Sequence, residues 1–339
     1  MKTLSGTSLI FLLHASFCVS APLLAATNPV PPQPIAIATR PTPVWNTDKA
    51  EHIYGFPDIK PNRKGTLALT PDTLTFTAKS GNTSIPRASV TAVSAGNERV
   101  EMWGTGGRIL RMAIPDGGGI AAAAFMHHRI DMLTVDFTDP KGGAHSAVFF
   151  LPANEAARAL QSFDVAAPII AANPPPPAVS ACTPSAIDPN SVLVATPLWG
   201  RAEVPAAYRS LVYEHVVDRL RRTKDIGHVY REGEVTASTA CPQYTVHISI
   251  AAFREGSSVK RAAMGPIGMF VGTTQITFDA TIANASGSVN ASEQIKSTVR
   301  GESESTSVAD HVAKTLAKRY TAVVKAANQS SQPTQPPTA

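Results

Sequence analysis

The stretch Gly65-Thr66-Leu67-Ala68-Leu69-Thr70-Pro71-Asp72-Thr73-Leu74-Thr75-Phe76-Thr77 sets Leu67 and Leu69, then Leu74 and Phe76, at every second position on either side of a Pro-Asp turn. Alternation of period two is the mark of strands with one buried face, so this segment predicts a hairpin. Further short strands follow at Ser84 to Val93, Arg108 to Ile114, Met132 to Phe137 and Ala147 to Leu151. The series ends in Asn154 to Phe163, whose apolar residues recur at helical spacing, with Asn154 placed as an N-cap.

Proline divides the chain on both sides of this region. Pro29 to Pro43 and Pro174 to Pro177 can neither continue a helix nor donate into a central strand, and they read as extended tethers. The expected layout is residues 1–26 as a secretory signal, 27–46 as a proline-rich linker, 47–167 as a β domain, 168–180 as a second linker, 181–327 as an α/β domain and 328–339 as a disordered Gln/Ser/Pro/Thr tail. The leader has a basic start at Lys2, an apolar run from Leu9 to Leu13 and small residues from Ser20 to Ala26, with cleavage expected after Ala26 or Ala21. Ser16, Cys18 and Ser20 interrupt the run, which falls short of the ~20 apolar residues of a spanning helix. Phe17 before Cys18 is a poor match to a lipoprotein signal. The expected location is therefore the periplasm or the exterior.

Once the leader is removed, Cys182 and Cys241 are left as an even pair in an oxidising compartment, where a disulfide is the natural expectation. It would close a loop of about 59 residues and contribute roughly 4 kcal/mol on the chain-entropy model. Two free thiols are the alternative; no Cys-x-x-Cys points to redox chemistry. The formal charge of +5 is dispersed, with no basic run longer than Arg221-Arg222, which argues against nucleic acid. A 43% hydrophobic content with mean hydropathy near zero suits a globular chain with linkers.

In the second domain a strand over Ser191 to Pro197 leads to an amphipathic helix from about Pro205 to Lys224, with Tyr208, Leu211, Val212, Val216 and Leu220 on its inner stripe and Arg209, Glu214, Asp218 and Arg222 mainly elsewhere. Strands over Tyr244 to Arg254, Thr274 to Ala283 and Gln294 to Arg300 follow, then a second amphipathic helix over Ser307 to Ala327. Strand, helix, several strands and helix predict a two-layer α/β sandwich with a mainly antiparallel sheet.

Six or seven strands closed by one helix, with Gly65-Thr66-Leu67, Ile85-Pro86 to Val93, and Asp136-Phe137-Thr138-Asp139 before Val148 to Leu151, resemble the pleckstrin-homology-like and GRAM-like superfold, a bent β-sandwich plugged by its C-terminal helix. The second half, through Val192 to Pro197, Arg261 to Gly272 and the last helix, resembles a family of exported or lipoprotein-type bacterial α/β domains of unknown function, and more remotely the α/β fold of envelope secretion and Tol-system proteins. These resemblances imply binding or assembly work in the bacterial envelope, with an envelope protein as partner, and no catalytic residues to carry over.

Two segments are candidate contacts. Gly117, Gly118 and Gly119 lead into an alanine-rich stretch read as a short helix ending at His128, where backbone N–H groups would face an anion; no Lys-Ser/Thr follows them, so a flexible turn is the plainer reading. Met264, Ile267, Met269 and Phe270 lie among the glycines of the Gly265 to Gly272 segment, either as a partner- or membrane-touching loop or as a buried hairpin turn. His127, His128, Asp131 and His145 carry metal-ligating atoms, but neighbouring histidines point apart and capping or solvated roles suit them better. The chain has no Gly-x-Ser-x-Gly and no His-Glu-x-x-His. No catalytic residue, metal or cofactor is expected. The leading expectation is a non-enzymatic envelope binding or assembly accessory. The alternatives are an extracytoplasmic hydrolase working between the domains, and a lipid-headgroup binder, which needs Arg87, Arg99, Arg108 and Arg111 to converge.

Overall fold

A computed structural model describes residues 43–101, 127–163, 186–198, 204–234, 241–254, 274–299 and 305–330. The predicted hairpin is present as β2 (Arg63–Leu69) and β3 (Thr73–Ala78), with Leu67, Leu69, Leu74 and Phe76 fully buried. Thr70 closes the turn, its N–H donating to the Thr73 carbonyl at 2.8 Å and its Oγ1 accepting the Thr73 N–H at 3.0 Å.

Around this hairpin stand β1 (Trp45–Tyr54), β4 (Gly81–Pro86), β5 (Val90–Glu101), β6 (His127–Thr138) and β7 (Ala144–Leu151). They form a seven-stranded antiparallel sheet in the order β4-β3-β2-β1-β7-β6-β5. β1 is the central strand that joins the two meanders, yet its first residues fall in the expected linker. Its alternation is broken by the bulge between Thr47 and Ala50 and by a buried histidine, which conceals it from a periodicity reading. His127 and His128, expected at the end of a helix, lie in β6.

Helix α1 (Glu155–Phe163) buries Ala156, Ala159 and Phe163 against this sheet. Its N-terminus is not capped by Asn154, which takes a left-handed φ of 68°. The Ala156 N–H instead donates to the Asp131 carboxylate of β6 at 3.1 Å, and Arg87 donates to the Ser162 and Phe163 carbonyls at the other end. Trp45 of β1 adds a bond from its indole to Glu155 at 3.1 Å.

The second sheet has the order β12-β11-β10-β8-β9, with β8 (Ile187–Val194), β9 (His228–Arg231), β10 (Cys241–Arg254), β11 (Thr274–Asn284) and β12 (Val289–Val299). The β10, β11 and β12 strands are antiparallel as expected. β8 is parallel to both neighbours, β9 and β10. The reason is α2 (Ala206–Arg221), a crossover that returns the chain to pair β9 alongside β8. β9 is four residues long, too short to show as a period in the sequence. Helix α3 (Ser305–Ser330) packs on β11, β12 and α2, and runs three residues past its expected end. Among the described residues no helix is long and apolar enough to cross a membrane.

All of these elements belong to one compact unit, Pro41–Ala339. Strands β6 and β7 bury both faces. Leu133, Val135, Ala147 and Phe149 join the core under α1, while Met132 and Val148 join the core that holds α2, α3 and the second sheet. Helix α2 is thus covered from two sides, with ten of its sixteen residues buried.

His52 sits at 0% exposure among Phe56, Phe76 and Phe149. Its Nε2 accepts the Phe56 N–H at 3.0 Å and its Nδ1 faces the Lys60 carbonyl at 3.3 Å, a pairing that only the neutral ring with hydrogen on Nδ1 can make. Burial holds its pKa below the ordinary histidine value. The unfolded chain therefore takes up the proton first as pH falls, so stability is full above about 6.5 and declines below it, by up to about 1.4 kcal/mol per pH unit for this one group. Urea midpoints measured from pH 8 to pH 5 should fall on the acid side, with a shallower decline in His52→Gln.

Candidate functional site

The expected contact residues Gly117, Gly118 and Gly119, and Met264, Ile267, Met269 and Phe270, lie outside the described residues. So do Cys182, Arg108 and Arg111. Cys241 opens β10, is 5% exposed, and stands opposite Ile187 in the register. The ligand-type side chains are dispersed: Asp131 serves α1 and His145 serves a different cluster. Among the described residues no three His, Cys, Asp or Glu side chains are arranged to hold a metal ion. Arg87 is committed to the α1 carbonyls rather than to a headgroup surface.

Instead the structure gathers its buried charged side chains among the described residues, with Ser146 and Ser210, where α2 meets the first sheet. Glu214, expected to lie away from the buried stripe, is 3% exposed in the middle of α2. Arg231, the last residue of β9, grips it with both terminal nitrogens, at 2.8 and 2.7 Å. The same carboxylate accepts the Ser146 N–H of β7 at 2.9 Å. Arg231 also donates to the Ala144 carbonyl at 2.9 Å, which the Tyr213 hydroxyl reaches at 3.1 Å, and its guanidinium lies 5.4 Å over the Tyr213 ring. Burial alone would lower the Arg231 pKa, but the Glu214 charge and hydrogen bonds raise it above the usual arginine value.

Backbone reinforces the joint. The Ala144 N–H donates to the Glu232 carbonyl at 2.8 Å, and the turns at Gly142 and Gly233 touch directly. Both glycines have positive φ, 86° and 83°, and a Cβ on Gly233 would lie 2.4 Å from the Gly142 carbonyl oxygen. Only glycine permits that approach.

Two further pairs flank the first. Asp136 of β6 accepts from Arg209 and Ser210 of α2 and from the Ser146 hydroxyl. Tyr54 of β1 donates to Asp218, which Arg222 also reaches at 3.0 Å, while the His215 ring stacks on Tyr54 at 4.2 Å. His145 stacks on Phe137 with its Nε2 3.3 Å from Asp139 and its Nδ1 4.0 Å from Glu214. Burial and the nearby Arg231 charge hold His145 below the ordinary histidine value, against the pull of Glu214 and Asp139. Burial pushes the Asp139 carboxyl up, but the Gly143 N–H, His145 and the Lys141 N–H outweigh it and the net shift is downward. The imidazole nitrogens face two carboxylates, and the hydroxyl of the neighbouring Ser146 is given to Asp136.

No isolated residue signalled this cluster. The one readable hint is a carboxylate, Glu214, flanked by Leu211, Val212, Tyr213, Val216 and Val217, where a helix face should be apolar.

A separate cleft of about 470 Å³ opens between the loop after α2 and the last turns of α3, lined by Lys224, Ile226, Tyr320 and Lys325 among others.

No family model matches the chain, and no curated protein matches it. Solved structures similar to part of it include the PelC dodecamer from Paraburkholderia phytofirmans, at 18% identity over 38% of this chain and 86% of that one, TM-score 0.29. A point variant of the same dodecamer aligns at 20% identity over the same shares, TM-score 0.30. Protein XCC0632 from Xanthomonas campestris, of family DUF330, aligns at 14% identity over 44% of this chain and 94% of that one, TM-score 0.28.

The buried pair yields a sharp expectation. Glu214→Gln leaves the Arg231 charge buried without its counterion and should cost about 3–5 kcal/mol of unfolding free energy. The double variant Glu214→Leu with Arg231→Met should recover most of that loss in the same urea titration, since a buried pair can be replaced by apolar volume at little net cost.

Proposed function

We propose that the protein is a non-enzymatic accessory of the bacterial envelope, exported to the periplasm or beyond, that presents two sheets as one rigid body to a protein partner. The observation that carries this reading is the joint at Glu214 and Arg231. Glu214, Asp136, Arg209, Arg231 and Ser146 are bonded to one another between the sheets, which leaves these acids and this hydroxyl little capacity to bind and turn over a substrate. Among the described residues the one buried imidazole nitrogen without a partner, His215 Nε2, lies against Tyr54. A hydrolase would need an open site holding a free carboxylate or imidazole. Here the interface is filled by hydrogen bonds, and the cleft of about 470 Å³ lies elsewhere.

The first sheet is read as pleckstrin-homology-like. What supports this is its order, two antiparallel meanders joined through β1 and β7, and the single helix after the last strand that packs on β1, β5 and β6. The superfold mostly binds other molecules, which agrees with an accessory role.

The test is a cross-linked capture from envelope extract with the mature full-length chain as bait. The expected result is one protein recovered in stoichiometric yield. Recovery of lipid alone, or of nothing, would overturn the reading. The leader and the cysteine pair are open to one mass measurement on protein exported to the periplasm. It should show loss of the residues up to Ala21 or Ala26, and two alkyl groups added at Cys182 and Cys241 only after reduction. Alkylation of both thiols without reductant would sink the disulfide.

A further inference from the structure

We propose that the cleft between the end of α2 and the last turns of α3 is a docking groove for an acidic peptide segment of a partner protein, one that carries an apolar side chain between carboxylates. This rests on the accessory reading and names the chemistry of the partner.

The groove has an apolar floor and a cationic rim. Ile226 and Val324 are half-buried and pack on the main core, and Tyr320, also in the lining, is 2% exposed. Lys224 comes from the loop after α2 and Lys325 from α3, and both are exposed. At about 470 Å³ the space falls in the range of roughly 300–1,000 Å³ typical of ligand sites.

The lining carries a net positive charge, two ammonium groups against one carboxylate. Acids elsewhere on the two helices and β12 are already engaged: Asp218 by Arg222 and Tyr54, Asp310 by Lys314, and Glu293 by Arg319. Asp225 is the one carboxylate in the lining. From His311 to Ala339 the chain carries Lys314, Lys318, Arg319 and Lys325 and no Asp or Glu at all. Lys224 and Lys325 have no anionic partner among the described residues.

Both parts of the lining must be used by an occupant. A purely anionic chain would leave Ile226 and Val324 unmatched, and a purely apolar one would strip water from two ammonium groups without a counterion. A planar membrane surface cannot reach the floor of a concave cleft. An apolar side chain on Ile226 and Val324, with a carboxylate toward each lysine, matches both the apolar and the cationic parts of the lining. The Tyr320 hydroxyl is itself buried without a hydrogen-bond partner. Its pKa is raised by burial, so it stays protonated.

The experiment is fluorescence anisotropy of the mature full-length protein with a fluorescein-labelled nonapeptide in which Asp and Glu flank a Leu. A Lys-substituted peptide and phosphatidylglycerol vesicles serve as comparisons. The expected result is saturable binding of the acidic peptide alone, weakened by salt. Lys224→Glu with Lys325→Glu should weaken it at least tenfold, and so should Thr321→Trp, an exposed groove position, with thermal midpoints unchanged. Equal binding by the variants, equal binding of the basic peptide, binding of vesicles only, or no binding would each overturn the proposal. The capture experiment run with the double lysine variant separates the two readings. A partner retained by that variant refutes the groove and leaves the accessory role standing, whereas no partner for the unaltered chain refutes the accessory role itself.

Discussion

The architecture depends on one carboxylate placed where the helix that carries it is covered on two sides. α2 lies between the first sheet and the layer formed by the second sheet and α3, so a charge in its middle has no route to water. Glu214 is tolerable there only because Arg231 meets it with two parallel hydrogen bonds and the Ser146 N–H takes a further lone pair. Such a pair adds little net stability over apolar residues of the same volume. What it adds is position, since α2 can sit in one rotation and β9 in one register if both charges are to be satisfied. Three elements from both halves of the chain, β7, α2 and β9, are held at one point.

The turns at Gly142 and Gly233 follow from that constraint. The Arg231 guanidinium must reach the Ala144 carbonyl as well as Glu214, which draws the end of β9 against the start of β7 until the two backbones touch. Side chains at either glycine would hold the sheets apart and break the Ala144 to Glu232 bond. A partner that engages one sheet meets a surface whose orientation to the other is already set, which lowers the entropy of docking relative to two tethered modules.

How much of this was legible in the sequence depends on whether a residue's neighbours are local. The strands built on Leu67, Leu69, Leu74 and Phe76, and on Ile276, Phe278 and Ile282, show their period because their environment repeats along the chain. Both long helices show for the same reason. β1 does not, because it buries two polar residues, Thr47 and His52, the latter held by groups four and eight residues along the chain, and a bulge shifts its phase. The N-cap of α1 was misplaced because its acceptor, Asp131, comes from another strand. Glu214 read as a solvent-facing residue because an isolated helix offers no other place for a carboxylate; its counterion lies on a four-residue strand that no pattern announces.

The distribution of charge follows from the same economy of partners. Carboxylates at the joint and along the helices are matched by arginines: Glu214 with Arg231, Asp136 with Arg209, Asp218 with Arg222, Glu293 with Arg319. Arginine suits these places because its planar fork can satisfy both carboxylate oxygens. Lysines populate the rim of the groove instead, where a compact, hydrated charge on a flexible stem can wait in solvent and still reach an incoming anion. The molecule thus holds its joint with a bidentate cation and leaves point charges at the groove. Rigidity at the joint and adaptability at the groove are consequently carried by different residue types on the same helix pair.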